Sequence, residues 1–219
     1  MSNLNIKESE VLLSIDGKVT ETPTLVSKYC STFVFRTKIS VKRSSGVCDE
    51  FFLNYSSNLG VVLKEGQFIH IDGDIRTLND RNTDFVIEGF IFAKKIEVLD
   101  SEPVSYKNDV IIRNAELHKF IEFRKSHDKS NKHVADYQIK ITRKHGRYSY
   151  FKVTSWNANA VLIGTYSSTA KYLNLKCRLQ SFISKKSGRL YLCLVTYDLE
   201  LNNIESKKED NHVTDSNKA

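Results

Sequence analysis

Short runs of alternating apolar and polar residues, separated by turn formers, recur along the whole chain and predict strands rather than helices. VLLSIDGKV at 11–19 is β-prone and opens with apolar residues. FVFRTKISVKR at 33–43 puts Phe33, Phe35, Thr37, Ile39 and Val41 on one face; SSGVCDE turns the chain and FFLNY at 51–55 returns it. LKEGQFIHIDGDIRTL at 63–78 carries Phe68, Ile69, Ile71 and Ile75 around glycines that permit a sharp bend. DFVIEGFIFAKKIEVL at 84–99 supplies a last strand, while Pro23 marks a bend or an edge because proline cannot donate to a ladder.

The second half repeats this plan. VIIRNAEL opens it, the polar stretch EFRKSHDKSNKH reads as a loop, and VADYQIKITRK at 134–144 alternates again. After the turn HGR comes YSYFKVTSW at 148–156, then a short irregular link. LNLKCRLQSFIS at 173–184 and RLYLCLVTYDLEL at 189–201 close the half as a hairpin around KKSG. Five strands are what an OB barrel needs. The expected fold class is therefore all-β, with two tandem five-stranded OB-fold barrels over residues 1–103 and 104–203. The boundary falls in LDSEPVSYKND, where Pro103 and polar residues interrupt the pattern. Residues 204–219 show no apolar periodicity and read as a disordered tail.

Composition agrees with two folded domains: 219 residues, 40% hydrophobic, with only 2 Pro and 9 Gly. The first residues lack an apolar signal core, and no run approaches the roughly 20 apolar residues of a membrane span. A cytoplasmic protein without membrane contact is expected. The four cysteines show no C-x-x-C pairing; Cys177 and Cys193 lie in apolar stretches and read as core residues. Phosphate-cradling, H-E-x-x-H and G-x-S-x-G motifs are missing, and the six histidines are scattered, so neither an enzyme nor a cofactor or metal is expected.

Charge sharpens the picture. Residues 1–105 hold 12 Lys+Arg against 15 Asp+Glu, a net −3, whereas residues 106–203 hold 18 against 7, a net +11. Positive charge gathered in one half points to a polyanionic partner for that half.

The stretch VADYQIKITRKHGRYSYFKVTSWNANA resembles the central hairpin of the bacterial single-stranded DNA-binding protein family and its smaller relative, the primosomal replication protein. LKEGQFIHIDGDIRTL and the closing FAKKIEVL resemble other elements of that family, and the resemblance spans roughly residues 11–201 in a tandem, two-barrel form. It departs in three places: the chain ends DSNKA instead of an acidic Pro-Phe tip, Cys177-Arg178 stands at a usual glycine, and Asn114 replaces the opening one.

The resemblance implies single-stranded DNA as partner in replication, recombination or repair, and a homo-oligomer, a dimer by analogy. Replication proteins are further possible partners. Such a function needs cations along the phosphates and flat rings for the bases. Tyr150 and Trp156 share one strand face and match the family's stacking positions; Tyr148 has the same parity. Around them run Lys140, Arg143, Lys144, Arg147 and Lys152, with Arg178, Lys185, Lys186 and Arg189 on the later hairpin. Tyr137 and Tyr191, on apolar faces, read as core.

In the first half Arg36, Lys38, Lys42, Arg43 and Arg76 form a smaller basic set near Phe51 and Tyr55. Asp72, Asp74, Asp80 and Asp84 crowd the later hairpin and would repel phosphates. The expectation is binding mainly through the second barrel, with the first binding weakly or serving subunit contact. The alternatives are an accessory module of a primosome or mobile-element replication complex acting through protein contacts, and a single-stranded RNA binder.

Overall fold

A computed structural model describes residues 8–79, 86–126, 131–185 and 187–204. Lys186 and the predicted tail beyond Ile204 lie outside these residues, as do Asp80 and Asp84; Ile204 itself ends the last strand.

The first barrel is built from β1 (Glu10–Val19), β2 (Thr24–Tyr29), β3 (Thr32–Lys42), β4 (Cys48–Ser56), β5 (Phe68–Asn79) and β6 (Val86–Leu99). The second is built from β7 (Asn108–Lys125), β8 (His133–Thr142), β9 (Tyr148–Trp156), β10 (Ala170–Ile183) and β11 (Leu190–Ile204). One helix, α1 (Asn157–Tyr166), lies between β9 and β10. Alternation sets the inside of each barrel. Ile39, Phe51, Leu53, Ile71 and Ile91 fill the first, and Tyr137, Ile139, Phe151, Leu175 and Leu194 the second; all are buried. Both barrels close on themselves, through β1 with β3 and β4 with β6 in one, and β7 with β10 and β9 with β11 in the other.

Three elements differ from the sequence reading. β2 is an additional short strand after Pro23, at the edge of the sheet where proline's missing donor costs nothing. β7 continues to Lys125, into the stretch read as a loop, and stays paired with β8 across two bulges. The link after Trp156 is helical. It buries only Ala160 and Ile163, and Gly164 lets it approach Phe123, so its apolar stripe is too short to announce itself.

The two barrels are related by an internal two-fold. The β3–β4 and β8–β9 hairpins have one register shifted by 100 residues: Lys42 pairs with Cys48 and Thr142 with Tyr148. β1 and β7 pair antiparallel with each other, Leu13 against Val110. Leu13 also pairs with Gly73, and Val110 with Cys177; Gly73 and Cys177 each directly follow the bulge of their strand. Equivalent residues thus face each other at the junction, as two-fold packing requires.

Candidate nucleic-acid interface

The internal two-fold allows the outer faces of the barrels to be compared position by position. In the first barrel this face displays rings and cations together. Arg36 on β3 reaches over Phe52 of β4 (5.1 Å to the ring centroid) and Phe90 of β6 (5.8 Å). Lys38 lies over Phe52 at 5.6 Å, and Arg76 of β5 stacks on Phe92 at 3.7 Å. Cations above aromatic faces gain from the ring quadrupole. Each has an acidic counterion: half-buried Glu88 for Arg36 (2.7 Å), exposed Glu21 for Lys38 (2.6 Å) and buried Asp74 for Arg76 (2.9 Å). The bond to Glu21 raises the Lys38 pKa above its ordinary value, keeping it charged. Phe51 and Tyr55, by contrast, point inward and are buried.

The same face of the second barrel is chemically different. At the position of Arg36 stands Asp136, buried and holding Arg124 (3.3 Å), Lys152 (3.7 Å) and the Thr154 hydroxyl (2.6 Å). Lys152 occupies the place of Phe52, and Cys193 that of Phe90. Trp156, 38% exposed, directly precedes α1 at the edge of this face.

The predicted stacking ring Tyr150 must be corrected. It lies on the outer face but is only 7% exposed. His118 covers it with ring centroids 4.8 Å apart, and Thr77 of the first barrel accepts the Tyr150 N–H at 3.1 Å. Barrel–barrel packing, which a strand pattern cannot show, seals it. Arg143 also departs from the expectation of a free phosphate clamp. Its guanidinium donates to Ser149 Oγ (3.1 Å), to the Ile75 carbonyl and to Asp74 (3.4 Å), and burial lowers its pKa from the ordinary value. It ties the second barrel to the first. Lys140 is engaged with Glu116 (3.1 Å) and with the Tyr148 ring (4.4 Å).

Tyr148, Lys144 and Arg147 stay accessible, on and beside the tight β8–β9 turn in which His145 and Gly146 take left-handed conformations (φ 60° and 67°). Among the described residues neither Lys144 nor Arg147 makes an ion pair. They form one wall of a groove of about 910 Å³ whose other wall is the first barrel, with Arg76, Phe90 and Lys94. The ring-and-cation face of the first barrel therefore runs directly into the predicted basic turn of the second.

The remaining predicted residues lie elsewhere. Arg178 opens onto a different groove at the inter-barrel connection. Lys185 and Arg189 are exposed at the β10–β11 turn, next to Phe182 (46% exposed), which stacks on Tyr191 with centroids 5.5 Å apart. Tyr191, read as core, is half-buried on the surface; Tyr137 is inside, its hydroxyl within 3.0 Å of Ser155 Oγ. Sequence reasoning missed Phe52, Phe90 and Phe92 as surface rings. The signal was present: they fall at the outward parity of β4 and β6, opposite Lys38, Arg76 and Asp74.

Among the described residues no group of His, Cys, Asp and Glu could hold a metal ion, and no helix is long and apolar enough to cross a membrane.

No protein-family model matches the sequence, and neither does any curated protein. Solved structures do match. The chain is similar to the wild-type single-stranded DNA binding protein from Thermus aquaticus, with a TM-score of 0.64 and 16% identity over 90% of this chain and 95% of that one. A deletion mutant of the same protein gives 0.66 and 16% over 93% and 99%. The two-barrel fold is thus shared over nearly the full length of both chains.

Proposed function

We propose that the chain binds single-stranded DNA without catalysis of its own, the strand lying on the first barrel's outer face and crossing the groove to the Lys144–Arg147 turn. The observation that carries this reading is the continuous row of Phe52, Phe90 and Phe92 interleaved with Arg36, Lys38 and Arg76, ending at the exposed Lys144 and Arg147 of the other barrel. Rings take bases and cations take phosphates; neither contact selects a sequence. Phosphates would replace Glu21 and Glu88 as the counterions of Lys38 and Arg36.

The fold shared with a single-stranded DNA binding protein supports the same reading. A role in replication, recombination or repair, cytoplasmic location, contacts with replication proteins and a homodimer of four barrels belong to this proposal. The second barrel's own face, with Trp156 and Lys152, contributes a further contact surface. A titration comparing fluorescent oligo-dT, oligo-U and duplex DNA tests it. Tight, salt-sensitive binding of oligo-dT is expected, weaker binding of duplex; equal affinity for duplex would refute a stacking mode. Preference for oligo-U over oligo-dT would favour RNA instead.

A further inference from the structure

The ring-and-cation face of the first barrel is covered by its own side chains. Arg36 lies over both Phe52 and Phe90, so its guanidinium takes ring faces that a base would take. It is held there from two sides. Its Nε donates to Asn54 Oδ1 at 2.8 Å, its Nη1 donates to Glu88 Oε2 at 3.1 Å, and its Nη2 lies 2.7 Å from Glu88 Oε1. Asn54 is buried, and the side chains of Arg36 and Glu88 are only 27% and 23% exposed. A two-pronged arginine–carboxylate pair of this kind fixes direction as well as charge.

Closure of the barrel does not require this pair. The two-fold places Asp136, Thr154 and Tyr191 where the first barrel has Arg36, Asn54 and Glu88. These three cannot form a guanidinium–carboxylate fork, yet the second barrel closes through the same kind of strand pairing. A carboxylate and a phosphate cannot both take one guanidinium fork. Glu88 therefore acts against any strand that reaches Arg36.

We infer that Arg36 is a latched lid on the strand site: Glu88 and Asn54 hold it over Phe52 and Phe90, and strand entry draws it off the rings. The inference rests on the strand-binding reading above and concerns how that site is kept shut. A phosphate takes the guanidinium from Glu88, the ring faces come free, and bases stack on them. When the strand leaves, Glu88 takes Arg36 back. The carboxylate thus weakens binding and favours release, opposite in effect to the cations and rings around it.

Fluorescence anisotropy of labelled oligo-dT with the full chain, wild type against Glu88→Gln, tests it, because glutamine keeps the size and loses the charge. Glu88→Gln should bind about fivefold more tightly, the upper range for removing one competing surface ion pair. Glu200→Gln is an equal change of charge at an exposed site on β11, opposite Asn174, and should alter affinity by less than about twofold, its charge being screened by salt. Melting curves matching wild type verify the fold of both variants. In wild type itself, the Arg36 Nε–H nuclear magnetic resonance signal, identified by its loss in Arg36→Lys, should move on addition of oligo-dT as Asn54 and Glu88 give it up. Three results each overturn the latch and leave strand binding standing: Glu88→Gln binding no tighter than wild type, a gain matched by Glu200→Gln, or an Arg36 signal unmoved at saturation. Absence of binding in both wild type and Glu88→Gln overturns the strand-binding reading itself.

Discussion

Gly89 and Leu192 occupy the same position in their respective barrels and touch each other. A Cβ placed on Gly89 would lie 3.2 Å from the Leu192 Cβ, and the strand partners of the two, Thr77 and Ser181, each bond to the opposite barrel. Thr77 donates its N–H to Ser149, and Ser181 donates its N–H to Asp49, positions again 100 residues apart. The junction is thus a two-fold contact in which one member of the central pair has lost its side chain to make room.

That contact should not tolerate growth. Gly89→Ala is expected to cost about 1–3 kcal/mol, the usual range for overpacking a filled site. A chemical melt of the full chain measures it, and an unchanged midpoint would mean the barrels can part at no cost.

Lys144→Ala/Arg147→Ala should lower affinity for oligo-dT and flatten its salt dependence. Each phosphate contact contributes about 0.7 to the slope of log K against log salt, so losing both contacts should reduce the slope by about 1.4. Binding isotherms at several salt concentrations decide the matter; parallel lines for wild type and variant contradict the groove assignment.

Phe52→Ala and Phe90→Ala should each weaken binding by about 1–3 kcal/mol, the range for a lost base stack, with the salt slope unaltered. Trp156→Ala tests the second barrel's face in the same way. Its indole also offers a direct readout, because Trp156 is the only tryptophan and a base laid on it should quench its fluorescence.

Tyr150→Ala should act on stability. Removing a ring sealed between His118 and the first barrel is expected to cost about 3 kcal/mol. The variant that remains folded should bind oligo-dT like wild type, and a loss of affinity without a loss of melting temperature would place the ring in the binding site after all.

The cysteines should divide into two classes. Burial pushes the Cys177 thiol up to about 12 and the Cys193 thiol up to about 11, so neither forms a thiolate near neutral pH. Cys30 and Cys48 are exposed. A thiol reagent at pH 8 should therefore modify two sulfurs quickly and the other two only after denaturation; four fast thiols would contradict the burial.

Much of this architecture was legible in the residues. Ile39, Phe51, Ile139 and Phe151 announce barrel interiors because a strand turns alternate residues to opposite faces, and that periodicity is local. The basic turn from Lys144 to Arg147 and the exposed Trp156 were legible for the same reason. Local pattern determined how many barrels there are, what fills them and which residues face outward.

Which outward residues stay accessible was decided by tertiary structure alone. Tyr148 and Tyr150 have the same parity on one strand, yet one is 36% exposed and the other is closed over by Thr77 and His118. Arg143 and Lys144 are neighbours in sequence, yet the first locks the barrels together and the second faces the groove. Both outcomes depend on where the other barrel comes to rest, a contact between residues some seventy positions apart that no window of alternation contains. The row of Phe52, Phe90 and Phe92 likewise exists only because barrel closure sets β4 beside β6.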